Sequence, residues 1–331
     1  MTVTRRASLG LGVAAALLAT SAAHAADFDL RLHTLVQSPH PYNDMAEFIK
    51  SELEAKSDGR IAVTVFDSGQ LGQDPAVIGE VGLGTIDLIV STASNAAGEV
   101  PELSIFTMPY LFAGLEEVVA KIGPGTAAHD HFAEAFAERG TGVKLLALGA
   151  SGTRNMSTVE VTVTSPDDLT GLRMRTTQSP MDAETWSALG MLPVSVAWGE
   201  LYAAMQTGVA DAMESSLPGY TGSKLYEVAP NLALTGHQVQ INHISISQRT
   251  FDGLPEDLQT LVMDTAAAAN QFGVEKAIGY DGALVETLQS EHGVSVSRPE
   301  QGAFIAALEP IQTDLATRLD LQAEYELLKA E

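Results

Sequence analysis

The sequence contains no cysteine. Disulfide cross-links and thiolate chemistry are thereby excluded, and the folded state must rest on its cores alone. Positive charge is scarce. Eighteen Lys and Arg stand against 42 Asp and Glu, a formal net charge of −24. Such a surface repels nucleic acid and anionic lipid, so neither is an expected partner. Tryptophan is rare, with two in the chain. There is no Gly-x-Ser-x-Gly elbow, no His-Glu-x-x-His pair and no P-loop. Gly123 to Ala128 fits G-x-G-x-x-A, but no strand is expected before it, so a dinucleotide site is not expected. His129-Asp130-His131 reads as a solvated helix start rather than a metal site. No cofactor, no metal and no catalytic residue is expected. Past the N-terminus, no stretch approaches the roughly 20 apolar residues that a spanning helix needs.

The N-terminus has the parts of an export signal. Arg5-Arg6 gives a positive start, Leu11 to Ala19 is a short apolar run, and Ala23-His24-Ala25 is a small-x-small cleavage pattern. Residues 1–25 are therefore expected to be a signal peptide, by the twin-arginine or the general route, cut near Ala25/Ala26. The cut removes two arginines and no acid, so the charge moves from −24 to −26. A soluble, monomeric periplasmic chain is the expectation.

The chain of 331 residues suits two α/β lobes. Phe28–Leu35, Arg60–Phe66, Ile86–Val90 and Val143–Leu148 read as strands. Tyr42–Lys56, with Met45, Phe48, Ile49 and Leu53 at helical spacing, Ala76–Leu83 and Ala127–Arg139 read as helices. Gly149-Ala150-Ser151-Gly152 breaks that pattern, and a second β/α series follows, through Leu172–Arg175, Met181–Leu189, Leu192–Val196, Glu200–Thr207 and Ala210–Met213. A long strand over His237–Ser247 precedes helices over Glu256–Gln289. The expected fold is α/β and two-lobed, each lobe a mostly parallel sheet flanked by helices, with the ligand cleft between them. Lobe I would comprise 26–151 plus about 240–279. Lobe II would comprise 152–239 plus about 280–331, with the C-terminal helices.

Between Lys144 and Lys224 the positive side chains are Arg154, Arg173 and Arg175 alone. In so acidic a chain they are the first candidates for gripping an anion. Arg173 and Arg175 lie two apart on an expected strand, on one face of it. A guanidinium there can hold a carboxylate by two parallel hydrogen bonds, and a surface ion pair is the plain alternative. Arg154 follows the Gly-rich crossing, where it could serve a cleft or the surface. Trp198, at a strand-to-helix turn, could wall a pocket or fill the core.

Asp167-Asp168-Leu169-Thr170-Gly171-Leu172-Arg173-Met174-Arg175 resembles the DLKGLKIR run of solute-binding proteins of tripartite ATP-independent periplasmic (TRAP) transporters, of the C4-dicarboxylate-binding type. Trp198 to Asp211 is similar to that family's E-x-Y-x-A-L-Q-T-G-V-V-D-G. His40-Pro41-Tyr42, Gly69-Gln70-Leu71-Gly72, Met108 to Phe112, Gly152-Thr153-Arg154, Leu225 to Val228 and Leu254 to Leu258 match in family order, so the resemblance covers almost the whole exported chain.

The resemblance implies a binding protein without catalysis. It would capture a small organic anion, a carboxylate, and deliver it to the membrane subunits of a TRAP transporter. Sensing for a membrane receptor and a periplasmic enzyme acting on an organic acid are the alternatives. By resemblance, Arg175 matches the arginine that clamps the carboxylate and Arg154 a second arginine for acidic ligands. Trp198 falls at the aromatic wall, and Ser91 and Thr92 fall where first-lobe contacts arise. At the position after Asp211 the family usually continues with Gly-x-Glu-Asn, whose Asn touches the carboxylate. Here Ala212-Met213-Glu214-Ser215 stands instead, and Ser215 offers one shorter hydroxyl donor. Keto acids, dicarboxylates, sugar acids and aromatic acids all stay open as ligands.

Overall fold

The computed structural model describes residues 26–330. The expected signal and its cleavage site at Ala25/Ala26 lie outside or at the edge of the described residues. Among the described residues, nine strands form a single sheet. They are β1 Phe28–Thr34, β2 Ile61–Phe66, β3 Leu88–Thr92, β4 Val143–Thr158, β5 Arg173–Thr176, β6 Leu192–Ser195, β7 Ala212–Ser216, β8 Asn231–Ser247 and β9 Ser295–Ser297. Their order is β2-β1-β3-β8-β4-β7-β5-β6, and β9 pairs with β8. The outer strands at each end are parallel, as the β/α alternation predicts. The middle is not: β3/β8, β4/β8 and β4/β7 are antiparallel.

β4 and β8 belong to both ends, which makes the molecule two lobes on two shared strands. The break expected at Gly149–Gly152 is instead a continuation of β4. Its register against β8 slips between Ala150 and Thr153, and Gly152 there has φ 128°. A bulge at that conformation favours glycine, so the residues that look like a chain break are a bend inside a strand. The slip turns each half of β4 and β8 to its own lobe.

Apolar spacing accounts for the cores. Met45, Ala46, Ile49 and Leu53 of the helix Pro41–Lys56 pack with Leu30 and Leu32 of β1, Leu88 of β3 and Leu258, Val262 and Ala266. At the other end, Leu201, Met205, Met213, Leu217 and Tyr220 gather with Leu284 and Leu288. The residues 258–288 named in both clusters lie on one helix, Glu256–His292, where sequence spacing suggested several. Its 37 residues extend about 55 Å, long enough to brace both lobes. The C-terminal helices also touch both. Phe304 packs with Met174 and Trp186, whereas Leu315, Ala316, Leu321 and Leu328 pack with Leu103, Phe106 and Phe132. No helix among the described residues is long and apolar enough to cross a membrane.

Candidate functional site

The strand ends of the two lobes face each other across a cavity with ≈ 430 Å³ of unfilled space, part of it open to solvent. The first lobe contributes Tyr42, Asp74, Thr92 and Asn95. The second contributes Arg175, Trp198 and Ser215, and Arg154 and Gln240 enter from β4 and β8. Arg154, Arg175, Trp198, Ser215 and Thr92 are thus brought together from positions spread over more than a hundred residues. Ser91 is not in the wall. It is fully buried behind it and donates to Asp74 Oδ2.

Arg173 and Arg175 diverge. Arg173, at the start of β5, is exposed and paired with Asp211, which leaves it on the surface. Arg175 is 3% exposed. Its Nε donates to the Val196 carbonyl at 3.0 Å, and its Cζ lies 5.7 Å from the centre of the Trp198 ring. Nη1 is buried with no hydrogen-bond partner among the described residues, and no carboxylate stands within ion-pair distance of the guanidinium. Burial pushes Arg175 down to about 10, against the pull of Glu214 and Asp182. It keeps its charge at neutral pH, and a buried charge with open donors seeks an anion.

Arg154 is differently placed. On β4 it pairs in register with Ser216 of β7, so Glu214, two residues back, shares its face. Glu214 grips its fork: Nε donates to Oε2, and Nη2 donates to Oε1 at 2.6 Å. Nη1 donates to Gln240 Oε1 at 2.8 Å. Burial alone would raise the Glu214 carboxyl, but the Arg154 charge overrides it, and His237 helps. Glu214 is held far below the usual carboxylate range. His237 Nε2 stands 3.6 Å from Oε2, too far for a hydrogen bond but close enough to favour the anion. Arg154 therefore meets the cavity with its charge already matched.

Several wall residues were not among the site candidates read from sequence, although His40 and Tyr42 stand in one of the matched motifs. Asp74 opens the helix Asp74–Leu83, and a capping acid there is commonplace. Here it is 2% exposed, and its oxygens accept from His33 Nε2 at 3.1 Å, Ser91 Oγ and Asn95 Nδ2 at 3.0 Å. Tyr42 Oη accepts from Gln240 Nε2 at 2.7 Å, which leaves its own proton free for another acceptor. His40 Nδ1 accepts from Tyr42 N, and burial, reinforced by Arg154, pushes the imidazole down to about 3. It is a neutral donor at Nε2. At the mouth, Gly199 N donates to Gln73 Oε1 at 3.0 Å, from one lobe to the other. A Cβ at Gly199 would stand 2.5 Å from Gln73 Nε2, so a larger residue there would displace the Gln73 amide from this position.

The wall thus offers one unmatched cation, an aromatic face and neutral donors. The same architecture occurs in solved structures. A TRAP periplasmic solute-binding protein from Polaromonas sp. JS666, bound to D-erythronate, superposes with a TM-score of 0.84 at 25% identity, over 92% of this chain and 100% of that one. One from Roseobacter denitrificans, with bound L-galactonate, has a TM-score of 0.82 at 27% identity, over 92% and 99%. In sequence, a Roseobacter denitrificans solute-binding protein is 31% identical over 86% of this chain and 83% of its own. The 2,3-diketo-L-gulonate-binding periplasmic protein YiaO of Escherichia coli is 29% identical over 84% and 83%. The model of the bacterial extracellular solute-binding proteins, family 7, matches residues 33–318, and the chain belongs to that family.

Proposed function

We propose that the protein captures a small organic acid in the periplasm and delivers it, unaltered, to the membrane subunits of a TRAP transporter. The observation that carries this reading is Arg175, a buried cation in the cavity wall with open donors and no acid of its own. The ligand carboxylate completes it, over the Trp198 ring. Thr92, Tyr42 and Asn95 cover the ligand from the first lobe, and Ser215 takes the place of the family's Asn with a single hydroxyl. Ser91 acts through Asp74. Arg154 supports the wall and tunes which acid fits.

The lobes part at the register slips of β4 and β8. One is 26–151 with about 240–279, the other 152–239 with about 280–331, and the C-terminal helices strap the two. Residues 1–25 serve as the export signal. The hydroxyls of the wall are held in structural contacts: Thr92 Oγ1 donates to the Ile241 carbonyl at 3.2 Å, and Thr177 Oγ1 donates at 3.0 Å to Asp182, which also accepts from Thr177 N and Trp186 Nε1. Ser215 Oγ donates to the Ser216 carbonyl.

Arg175→Ala tests the reading. With the acid that most raises the melting temperature in an organic-acid screen, calorimetry is expected to show binding weakened by about a hundredfold or more, the cost of a buried carboxylate without its cation. Near-normal affinity in a folded variant would refute the assignment.

A further inference from the structure

We infer that the cavity selects singly charged hydroxy acids and rejects dicarboxylates, because Arg154 is already matched by Glu214 and Asp74 fixes a negative charge on the facing wall. The inference rests on the reading of the cavity as an organic-acid site.

Two arginines in one wall suggest a dianion. The geometry argues otherwise. The Arg154 fork is closed by both oxygens of Glu214, its remaining donor side faces Gln240, and all three are buried. A ligand carboxylate approaching Arg154 would meet Glu214 as well, so the attraction of the one is opposed by the other. Arg175 is left as the sole unmatched positive charge among the described wall residues, and one carboxylate satisfies it.

The opposite wall then decides the other end of the ligand. Asp74 accepts from His33, Ser91 and Asn95, the pattern of an ionised carboxylate, and those three contacts fix its position. Oδ2 is filled by Ser91 and Asn95, whereas Oδ1 accepts from His33 alone and retains a lone pair that a ligand hydroxyl can fill. A second ligand carboxylate has no proton to give and would place like charges together at low dielectric. Apart from Asp74, Arg175 and the Arg154–Glu214 pair, the wall is neutral and rich in hydrogen-bonding groups: the Tyr42 hydroxyl, His40, Thr92, Asn95 and Thr177. These suit hydroxyls and give no net attraction to charge.

Titration calorimetry tests this with ligands that differ at one terminal carbon. D-Gluconate, D-galactonate and D-erythronate are each compared with the diacid made by oxidising the terminal carbon (D-glucarate, galactarate, meso-tartrate) and with the monoamide of that diacid. At least one hydroxy monoacid is expected to bind, about a hundredfold or more tighter than its diacid. The monoamide should recover to within about tenfold of the monoacid. Asp74→Asn should narrow the gap by about tenfold or more. A diacid that binds as tightly as its monoacid overturns the selection and leaves the organic-acid reading standing. A monoamide as weak as the diacid also overturns it, since shape would then be the cause. Binding by no acid in the set overturns this inference together with the reading beneath it. The ligand arm uses the unaltered protein and does not depend on how the variant folds.

Discussion

Arg154 and Arg175 are the same residue type on strands β4 and β5, either side of β7, and their surroundings differ. Glu214 makes the difference. Replacing it by Gln leaves Arg154 buried without its counter-charge, at an expected cost of about 3–5 kcal/mol in folding stability, measurable by urea unfolding. Arg154→Met with Glu214→Gln should recover part of that loss. If the single variant is as stable as the parent, the pair is not the buried contact described. The buried histidines give a second residue-level test. Burial lowers His243 to about 4 and His40 to about 3, against an ordinary 6.5. Between those values the unfolded chain binds protons that the folded chain refuses, so stability is lost as pH falls. At pH 5 the loss is on the order of 2 kcal/mol per histidine. Burial raises the Asp182 and Asp281 carboxyls, and these act with the opposite sign, so the informative comparison is between proteins. From pH 7 to 5, His243→Gln should lose about 2 kcal/mol less than the parent. Equal losses would contradict the neutral burial of His243.

At the scale of elements, local spacing was legible and long-range pairing was not. The helix Pro41–Lys56 and strands β1, β2 and β5 are readable because their apolar periods depend only on near neighbours. The run Gly149–Gly152 misleads, since a glycine in a bulge and a glycine in a linker look alike in sequence. The site divides the same way. Arg175, Arg154, Trp198 and Thr92 are visible in motifs. Asp74, Tyr42 and Glu214 become functional candidates only when the fold sets them at one cavity, and Ser91 lies behind it, against Asp74. The Gln73–Gly199 contact belongs to this scale too. It joins the start of one helix to the turn after β6, across the mouth. Gln73→Ala removes a cross-lobe hydrogen bond of about 1 kcal/mol. Ligand release, followed by stopped-flow tryptophan fluorescence, should accelerate several-fold while the association rate stays within about twofold. An unchanged release rate would show that the contact does not hold the cleft shut.

For the molecule as a whole, two shared strands, one long helix and the C-terminal helices connect lobes that otherwise keep separate cores. Such a frame lets the lobes rotate at the β4 and β8 slips while each core stays intact. Closure excludes water from Arg175 and its carboxylate, which strengthens their attraction. Small-angle scattering with and without a saturating organic acid, followed by chemical recovery of the acid, tests capture by closure most directly. The radius of gyration should fall on binding, and the acid should return unchanged. Identical scattering curves, or an acid recovered as a product, would contradict it.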